Sequence, residues 1–369
     1  GATNAAPKID VWYGDDQPFG QNGDPQKWVN ILGNVSDSDG NLEKLEYSLN
    51  GKPPVKLNVG GDGHRGDGLR LYRQGDFNID LDWADLVDGR KTVVLSATDT
   101  LSATESTVTV NYDAGNTWTL PYTINWNAAG SIQDVAQVVD GDWDLSAAGV
   151  TPKENQTGYD RIVALGDLTW TDFELTVPVT VNGYDTNGFG GRYVVPAIGI
   201  VMRWEGHTTT PDLCAQPLCG YLPVGATSWY AFESKSSEVG QFSIWDKPSN
   251  KVLDASKLTL NWGQTYNWKV RSESLPGTKG LFKMKVWPAS ATEPTDWLVT
   301  MQGTNSSLQN GSVLLLSHFV DVTFGDITVL PVTPGEGPPE ITNWKVIPEP
   351  NGATIRWLTD EPATSRVDY

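Results

Sequence analysis

Apolar and polar residues alternate with period two along most of this chain, in short runs separated by Gly, Pro, Asn and Asp. That pattern predicts half-buried strands. The first third carries such runs at residues 9–13, 28–35, 45–49, 77–81, 92–99 and 106–112. Asn50-Gly51 closes one of them as a hairpin signal. No amphipathic helix longer than two turns is predicted; the nearest candidate, residues 82–87, reads as a turn. About seven short strands before Asp113 suit an immunoglobulin-like sandwich, so the expected class is all-β. Asp113-Ala114-Gly115-Asn116 is a short linker, and a second series of strands follows as far as Pro331. Residues 332–340 form a Pro/Gly-rich linker, and 341–369 begin a further unit. The expected division is therefore 1–113, 114–331, 332–340 and 341–369.

Alternation also sorts the faces of the central strands. Ile198, Ile200, Met202 and Trp204 share one side, apolar enough for core, which leaves Val201, Arg203 and Glu205 opposite. Phe282, Met284 and Val286 read as core, so Lys283, Lys285 and Trp287 point away. Trp229 with Glu233 faces away from Tyr230 with Phe232, and alternation alone leaves open which pair is inside. If the polar faces coincide on one concave sheet, that sheet carries Arg203, Glu205, Glu233, Lys285 and Trp287, with Trp229 near them and His207 just past a strand end.

Composition turns this toward sugar. The chain has 16 Trp in 369 residues, more than its cores need, and several fall where alternation turns them outward. An aromatic face on a rigid sheet stacks against the apolar face of a pyranose. Trp12, Trp28, Trp83 and Trp126 are expected to be structural. The net charge of −19 argues against nucleic acid and anionic membranes as partners, since both need basic patches. No apolar run is long enough for membrane insertion. Cys214 and Cys219 are the two cysteines; the expected reading is a disulfide around a Pro-containing loop, and with it a secreted or cell-surface location. Asp37-Ser38-Asp39-Gly40 sets two carboxylates before a Gly turn, a candidate for structural Ca2+.

Residues 35–40, 47–51 and 94–99 give the first unit a resemblance to the bacterial Ig-like and cadherin-like modules. In the central unit, Trp170-Thr171-Asp172-Phe173-Glu174-Leu175, Gly199-Ile200-Val201-Met202-Arg203, the pieces 282–288 and 293–297, and Phe324-Gly325-Asp326-Ile327-Thr328-Val329 resemble the concanavalin A-like jelly roll of the laminin-G and glucanase kind. That resemblance implies a two-sheet sandwich and points to Asp326 as a further Ca2+ candidate. It says little of activity, because such folds host lectins, hydrolases and lyases alike. Residues 353–369 resemble the opening strands of a fibronectin type III domain, and so short a piece cannot bury a core alone.

Three functions follow as expectations. The first is a secreted polysaccharide-binding module of a larger carbohydrate-active or adhesive protein, with ligand contacts from Arg203, Glu205, His207, Trp229, Lys285 and Trp287. The second is a glycoside hydrolase or polysaccharide lyase with Glu205 and Glu233 as its carboxylates. A distant resemblance of the 170–175 and 199–203 strands to putative keto-glycoside hydrolases supports that reading. The glucanase run E-x-D-x-x-E is absent, and Arg271-Ser272-Glu273 is only a fragment of the alginate-lyase strand. The third is a structural surface or filament protein, with strand addition through 341–369.

Overall fold

In the computed structural model the described residues are 3–61, 69–87, 89–153, 158–184, 195–209, 216–221, 224–255, 258–277, 279–335, 341–359 and 363–367. Among the described residues twenty-six strands carry the fold, and the class is all-β. The first unit contains β1 (Lys8–Val11), β2 (Asp16–Phe19), β3 (Trp28–Ser36), β4 (Leu42–Leu49), β5 (Val55–Leu57), β6 (Asp76–Asp82), β7 (Gly89–Asp99) and β8 (Ala103–Tyr112). They form two sheets, ordered β1-β3-β6 and β2-β8-β7-β4-β5. Alternating inward residues such as Ile31, Ile79, Val93, Leu95 and Val108 are completely buried in its core. The Asn50-Gly51 turn forms as its sequence demands, both residues at positive φ (49° and 71°) and Lys52 N–H donating to Leu49 O at 3.0 Å. Residues Trp83–Asp85 make a single 3-10 turn, capped by the Asp82 carboxylate.

The second unit contains β9 (Tyr122–Ile124), β10 (Gln137–Asp140), β11 (Trp143–Ser146), β12 (Gly149–Pro152), β13 (Arg161–Leu165), β14 (Phe173–Gly183), β15 (Ala197–Trp204) and β16 (Ala226–Phe232). It continues with β17 (Gly240–Lys247), β18 (Asn250–Leu253), β19 (Thr265–Ser274), β20 (Gly280–Pro288), β21 (Val299–Gln302), β22 (Ser312–His318), β23 (Asp321–Phe324) and β24 (Ile327–Pro331). One sheet is seven-stranded, β10-β13-β22-β15-β16-β17-β18; the other is nine-stranded, with the path β11-β12-β23-β14-β19-β20-β21 and β24 and β9 beside β14. Their inner faces interdigitate through Ile198, Ile200, Tyr230, Phe242 and Leu315 on one side and Leu175, Val177, Trp268, Val270 and Met284 on the other. The outer face of the seven-stranded sheet is itself buried over β13, β15 and β22, where Val139, Ile162, Val201, Trp204, Leu314 and Leu316 cluster.

A polar seam joins the two units. The Arg70 side chain is fully buried; its Nε donates to Asp140 Oδ1 on β10 at 2.7 Å and its Nη1 to Asp80 Oδ2 on β6 at 2.6 Å. Asn78 Nδ2 donates to Asp140 Oδ1 at 3.0 Å and to Val139 O at 2.8 Å. Trp28 Nε1 donates to His207 O at 2.9 Å, a structural role. Beyond the linker, β25 (Ile341–Glu349) and β26 (Gly352–Thr359) pair only with each other among the described residues. Trp344 is 70% exposed on that hairpin.

Candidate functional site

The residues proposed from alternation do not meet on one face. Arg203, Glu205, Trp229 and Glu233 belong to the β15–β16 pair in the seven-stranded sheet, whereas Lys285 and Trp287 lie on β20 in the nine-stranded sheet. The two sets lie in opposite sheets of the sandwich. Alternation fixes which side of a strand is apolar; it does not say to which sheet the strand belongs.

Arg203 is corrected for a second reason. A register shift between Met202 and Trp204 bulges β15, and Arg203 sits in the bulge with φ of 58°. The bulge inverts the alternation, so Trp204 joins Val201 and Leu314 on the outer face while Arg203 turns inward. Its guanidinium donates to Thr171 O at 3.0 Å and Leu308 O at 3.2 Å, and lies 5.2 Å from the centre of the Phe282 ring. Burial pushes its pKa down to about 10, partly offset by Asp172. It fastens loops to the core and touches no outer surface.

Glu205 and Glu233 are both exposed, but they cannot act as a pair. The β15–β16 register matches Ala197 with Ala231 and Met202 with Ala226. Glu205 therefore lies past one end of the strand pair and Glu233 past the other, roughly 30 Å apart at strand rise. Glycosidic hydrolysis by two carboxyl groups needs about 5–10 Å. His207 is 3% exposed and belongs to the seam, its Nε2 lying 2.7 Å from Asp140 Oδ2.

Lys285 and Trp287 are covered. The segment after β20 folds back over that face, bringing Glu293 Oε1 to 2.8 Å from Lys285 Nζ and 2.6 Å from Lys269 Nζ. Lys285 also donates to Pro294 O at 2.7 Å and lies 4.8 Å from the Trp297 ring centre. Trp287 is 7% exposed. These groups satisfy one another, and of the two indoles on this face Trp297 stays partly exposed while Trp287 is buried.

The calcium candidates are engaged by backbone amides. Asp39 N–H donates to Asp37 Oδ1 at 2.8 Å, Ala5 N–H to Asp39 Oδ2 at 2.6 Å, and Trp126 N–H to Asp326 Oδ1 at 3.0 Å. Among the described residues no three His, Cys, Asp or Glu side chains come together as a metal-ligand set. Cys219 is buried, and Cys214 lies outside the described residues.

What the structure does bring together is a run of rings across the outer face of the seven-stranded sheet. Trp204 stands 5.8 Å from His207, His207 4.8 Å from Tyr221, and Tyr221 6.1 Å from Tyr159. Tyr159 stands 4.8 Å from His318, His318 5.9 Å from Trp229, and Trp229 6.5 Å from Trp245. The series begins in the buried seam and ends on partly exposed Trp229 and Trp245. Tyr230 and Phe232 are the inward pair of β16, which settles the direction of Trp229.

Trp229 lies against Gly199 of the neighbouring strand: a Cβ at Gly199 would stand 2.7 Å from Trp229 Cε3. Small Ala197 and Ala231, paired in register, continue the floor beside it. At the edge of this floor, His318 Nδ1 lies 2.7 Å from Asp160 Oδ1. A Cβ at Gly199 would also stand 2.8 Å from the backbone Ser228 O, so replacing Gly199 by Ala is expected to lift the indole, weaken any ligand stacked on it about 3- to 10-fold and lower the melting temperature by several degrees. A displaced Trp229 with unaltered binding would remove the ring from the site. Neither Gly199 nor His318 was among the candidate site residues; the one available signal was Gly199 itself, a glycine inside a strand that marks close approach. The groove of about 470 Å³ in the first unit, lined by residues such as Asp37, Glu43, Lys44 and Gln74, contains no aromatic ring.

No protein-family model matches the chain, and no curated protein matches it. Among solved structures, the Crh5 transglycosylase in complex with NAG aligns over 60% of this chain and 87% of its own, at 8% identity and a TM-score of 0.36. The VIP36 exoplasmic/lumenal domain in its Ca2+/Man2-bound form aligns over 58% of this chain and 90% of its own, at 10% identity and a TM-score of 0.36. The endo-β-1,4-mannanase from Thermotoga petrophila aligns over 30% of this chain at 14% identity and a TM-score of 0.23, and the chain spans only 20% of that enzyme. Likenesses this remote say nothing about the chemistry of the present chain. Among the described residues no helix is long and apolar enough to cross a membrane.

Proposed function

We propose that this chain binds polysaccharide on the outer face of the seven-stranded sheet, as the sugar-holding part of a secreted or cell-surface carbohydrate-active or adhesive protein. The observation that carries the reading is Trp229, laid against Gly199 on a floor of small residues and flanked by Trp245 and His318. A rigid indole with nothing bulky beneath it offers a flat apolar surface of pyranose size. Polar groups at its rim would fix orientation. On the face of the nine-stranded sheet the Lys269, Lys285 and Glu293 side chains are engaged with one another, and Lys285 sits over the Trp297 ring.

In the same reading, the first unit is an Ig-like module that walls one side of the binding face through the Arg70–Asp140 seam. The central unit is a concanavalin A-like jelly roll, and 341–369 starts a fibronectin-like unit. Binding is favoured over hydrolysis because the only proposed carboxylate pair, Glu205 and Glu233, is split between opposite strand ends. A net charge of −19 selects neutral glycans over anionic ones by long-range repulsion.

The test is retention on insoluble or gel-embedded cellulose, xylan, mannan and mixed-linkage β-glucan. Wild type is expected to be retained on at least one, and Trp229→Ala to lose about 10- to 30-fold in affinity there, the order expected for one aromatic anchor. Melting temperature should be unchanged. Equal retention of wild type and Trp229→Ala would place the site elsewhere.

A further inference from the structure

We propose that His318 determines the specificity of the Trp229 site: its Nε2 accepts a hydrogen bond from a free hydroxyl of the stacked sugar, so the site takes a neutral glycan unsubstituted at that hydroxyl. The inference rests on the reading of Trp229 as the platform and adds what the platform selects.

The tautomer follows from the partner. Asp160 Oδ1 lies 2.7 Å from His318 Nδ1. A carboxylate only accepts, so Nδ1 carries the proton, and whenever the ring is neutral its lone pair is at Nε2. Among the described residues Nε2 has no hydrogen-bond partner, and the side chain is 13% exposed. Trp229 Nε1 likewise has no partner among them, so an acceptor and a donor stand unpaired around one aromatic surface.

The imidazole is also held firmly. Tyr159, Phe319 and Trp229 surround it at ring separations of 4.8, 4.7 and 5.9 Å. Arg161 Nε donates to Tyr159 O at 2.9 Å and its Nη2 to Arg70 O at 3.0 Å, which ties the turn bearing Asp160 to the seam. Asp160 and Phe319 both adopt positive φ, 36° and 60°. Non-glycine residues are rarely kept there unless their surroundings impose it, and such places gather at binding sites. A purely structural tie between β22 and this turn would be served by Nδ1 alone. It would not need a clamped ring whose other nitrogen has no partner among the described residues, beside a partly exposed indole.

A hydroxyl donor satisfies the Nε2 lone pair. An O-acetyl group has no proton to give and adds bulk, so it leaves the nitrogen desolvated and unpaired, the circumstance in which polar sites discriminate most sharply. Asp160→Asn acts through the tautomer: its amide N–H can donate to Nδ1, moving the proton to Nε2 and turning that atom into a donor.

The experiment compares acetylated xylan and acetylated glucomannan, each before and after alkaline deacetylation, by affinity electrophoresis. Wild type should prefer a deacetylated form by about tenfold or more. His318→Ala should lose affinity for that form but not for the acetylated one, erasing the preference. His318→Gln should restore part of it, because the amide oxygen accepts. Asp160→Asn should shrink or reverse it, a change that mere loosening of the turn would not produce. Melting temperatures identify variants that fail to fold. A wild-type preference preserved in both His318→Ala and Asp160→Asn, with Trp229→Ala still losing retention, overturns the role of His318 and leaves the platform standing. Retention unaffected by Trp229→Ala, or no retention on any of the four probes, overturns both.

Discussion

Replacing Arg70 with Ala is expected to remove about 3–5 kcal/mol of folding stability, the scale found when one partner of a buried ionic network is deleted. Its guanidinium lies between Asp80 and Asp140, whose side chains are 1% and 0% exposed, and it also donates to Leu218 O at 2.9 Å. Removing it leaves two buried carboxylates without their main cation. Arg70 is itself held further toward its charged form: burial works against the charge, and Asp140 and Asp80 together outweigh burial. For Asp140, burial raises the carboxyl pKa, while Arg70 and His207 more than reverse that and hold it below its ordinary value. A depressed carboxyl stabilises the fold fully above the unfolded-state pKa near 4, and the contribution drains away as pH falls from there through the folded value. Urea denaturation should show wild type losing stability below about pH 4 and Arg70→Ala losing less over the same range. A loss under ~1 kcal/mol at pH 7 would mean that water reaches the seam.

Arg203→Ala should cost about 3 kcal/mol, although a sequence reading sets Arg203 on a ligand surface. The variant leaves the carbonyls of Thr171 and Leu308 without a donor and empties the space over Phe282. Arg203→Lys should recover little, since one ammonium cannot reproduce a planar fork spanning two loops. The melting temperature should fall by several degrees while affinity, corrected for folded fraction, stays constant. A selective loss of affinity with normal melting would put Arg203 back among the ligand contacts.

The same bulge shows how far the sequence could be read. Alternation placed Ile198, Ile200 and Met202 in the core, where they are, because period two holds while the ladder is regular. It failed one residue later, where an extra residue in the strand exchanged the directions of Arg203 and Trp204. The Asn50-Gly51 turn was legible because its chemistry is local. The sheet membership of β16 and β20 was not, because it depends on pairing between strands distant in sequence. Trp229 was identifiable as an outward candidate only once Tyr230 and Phe232 were known to be inside. Gly199 was visible as a glycine inside a strand, but its pairing with Trp229 across the ladder was not, and His318 and Asp160 lie 158 positions apart. Lys285 and Trp287 were correctly turned away from the core, but nothing local in the pattern marks that the chain after β20 folds back to cover them.

The most direct measurement is a crystal structure of this chain with an oligosaccharide of whichever polysaccharide retains it. The account predicts a pyranose stacked on Trp229, between Trp245 and His318, with a hydroxyl within 3.2 Å of His318 Nε2, the ordinary reach of a hydrogen bond. A sugar seated on the β19–β20 face or in the groove beside Asp37, with Trp229 uncovered, would contradict it.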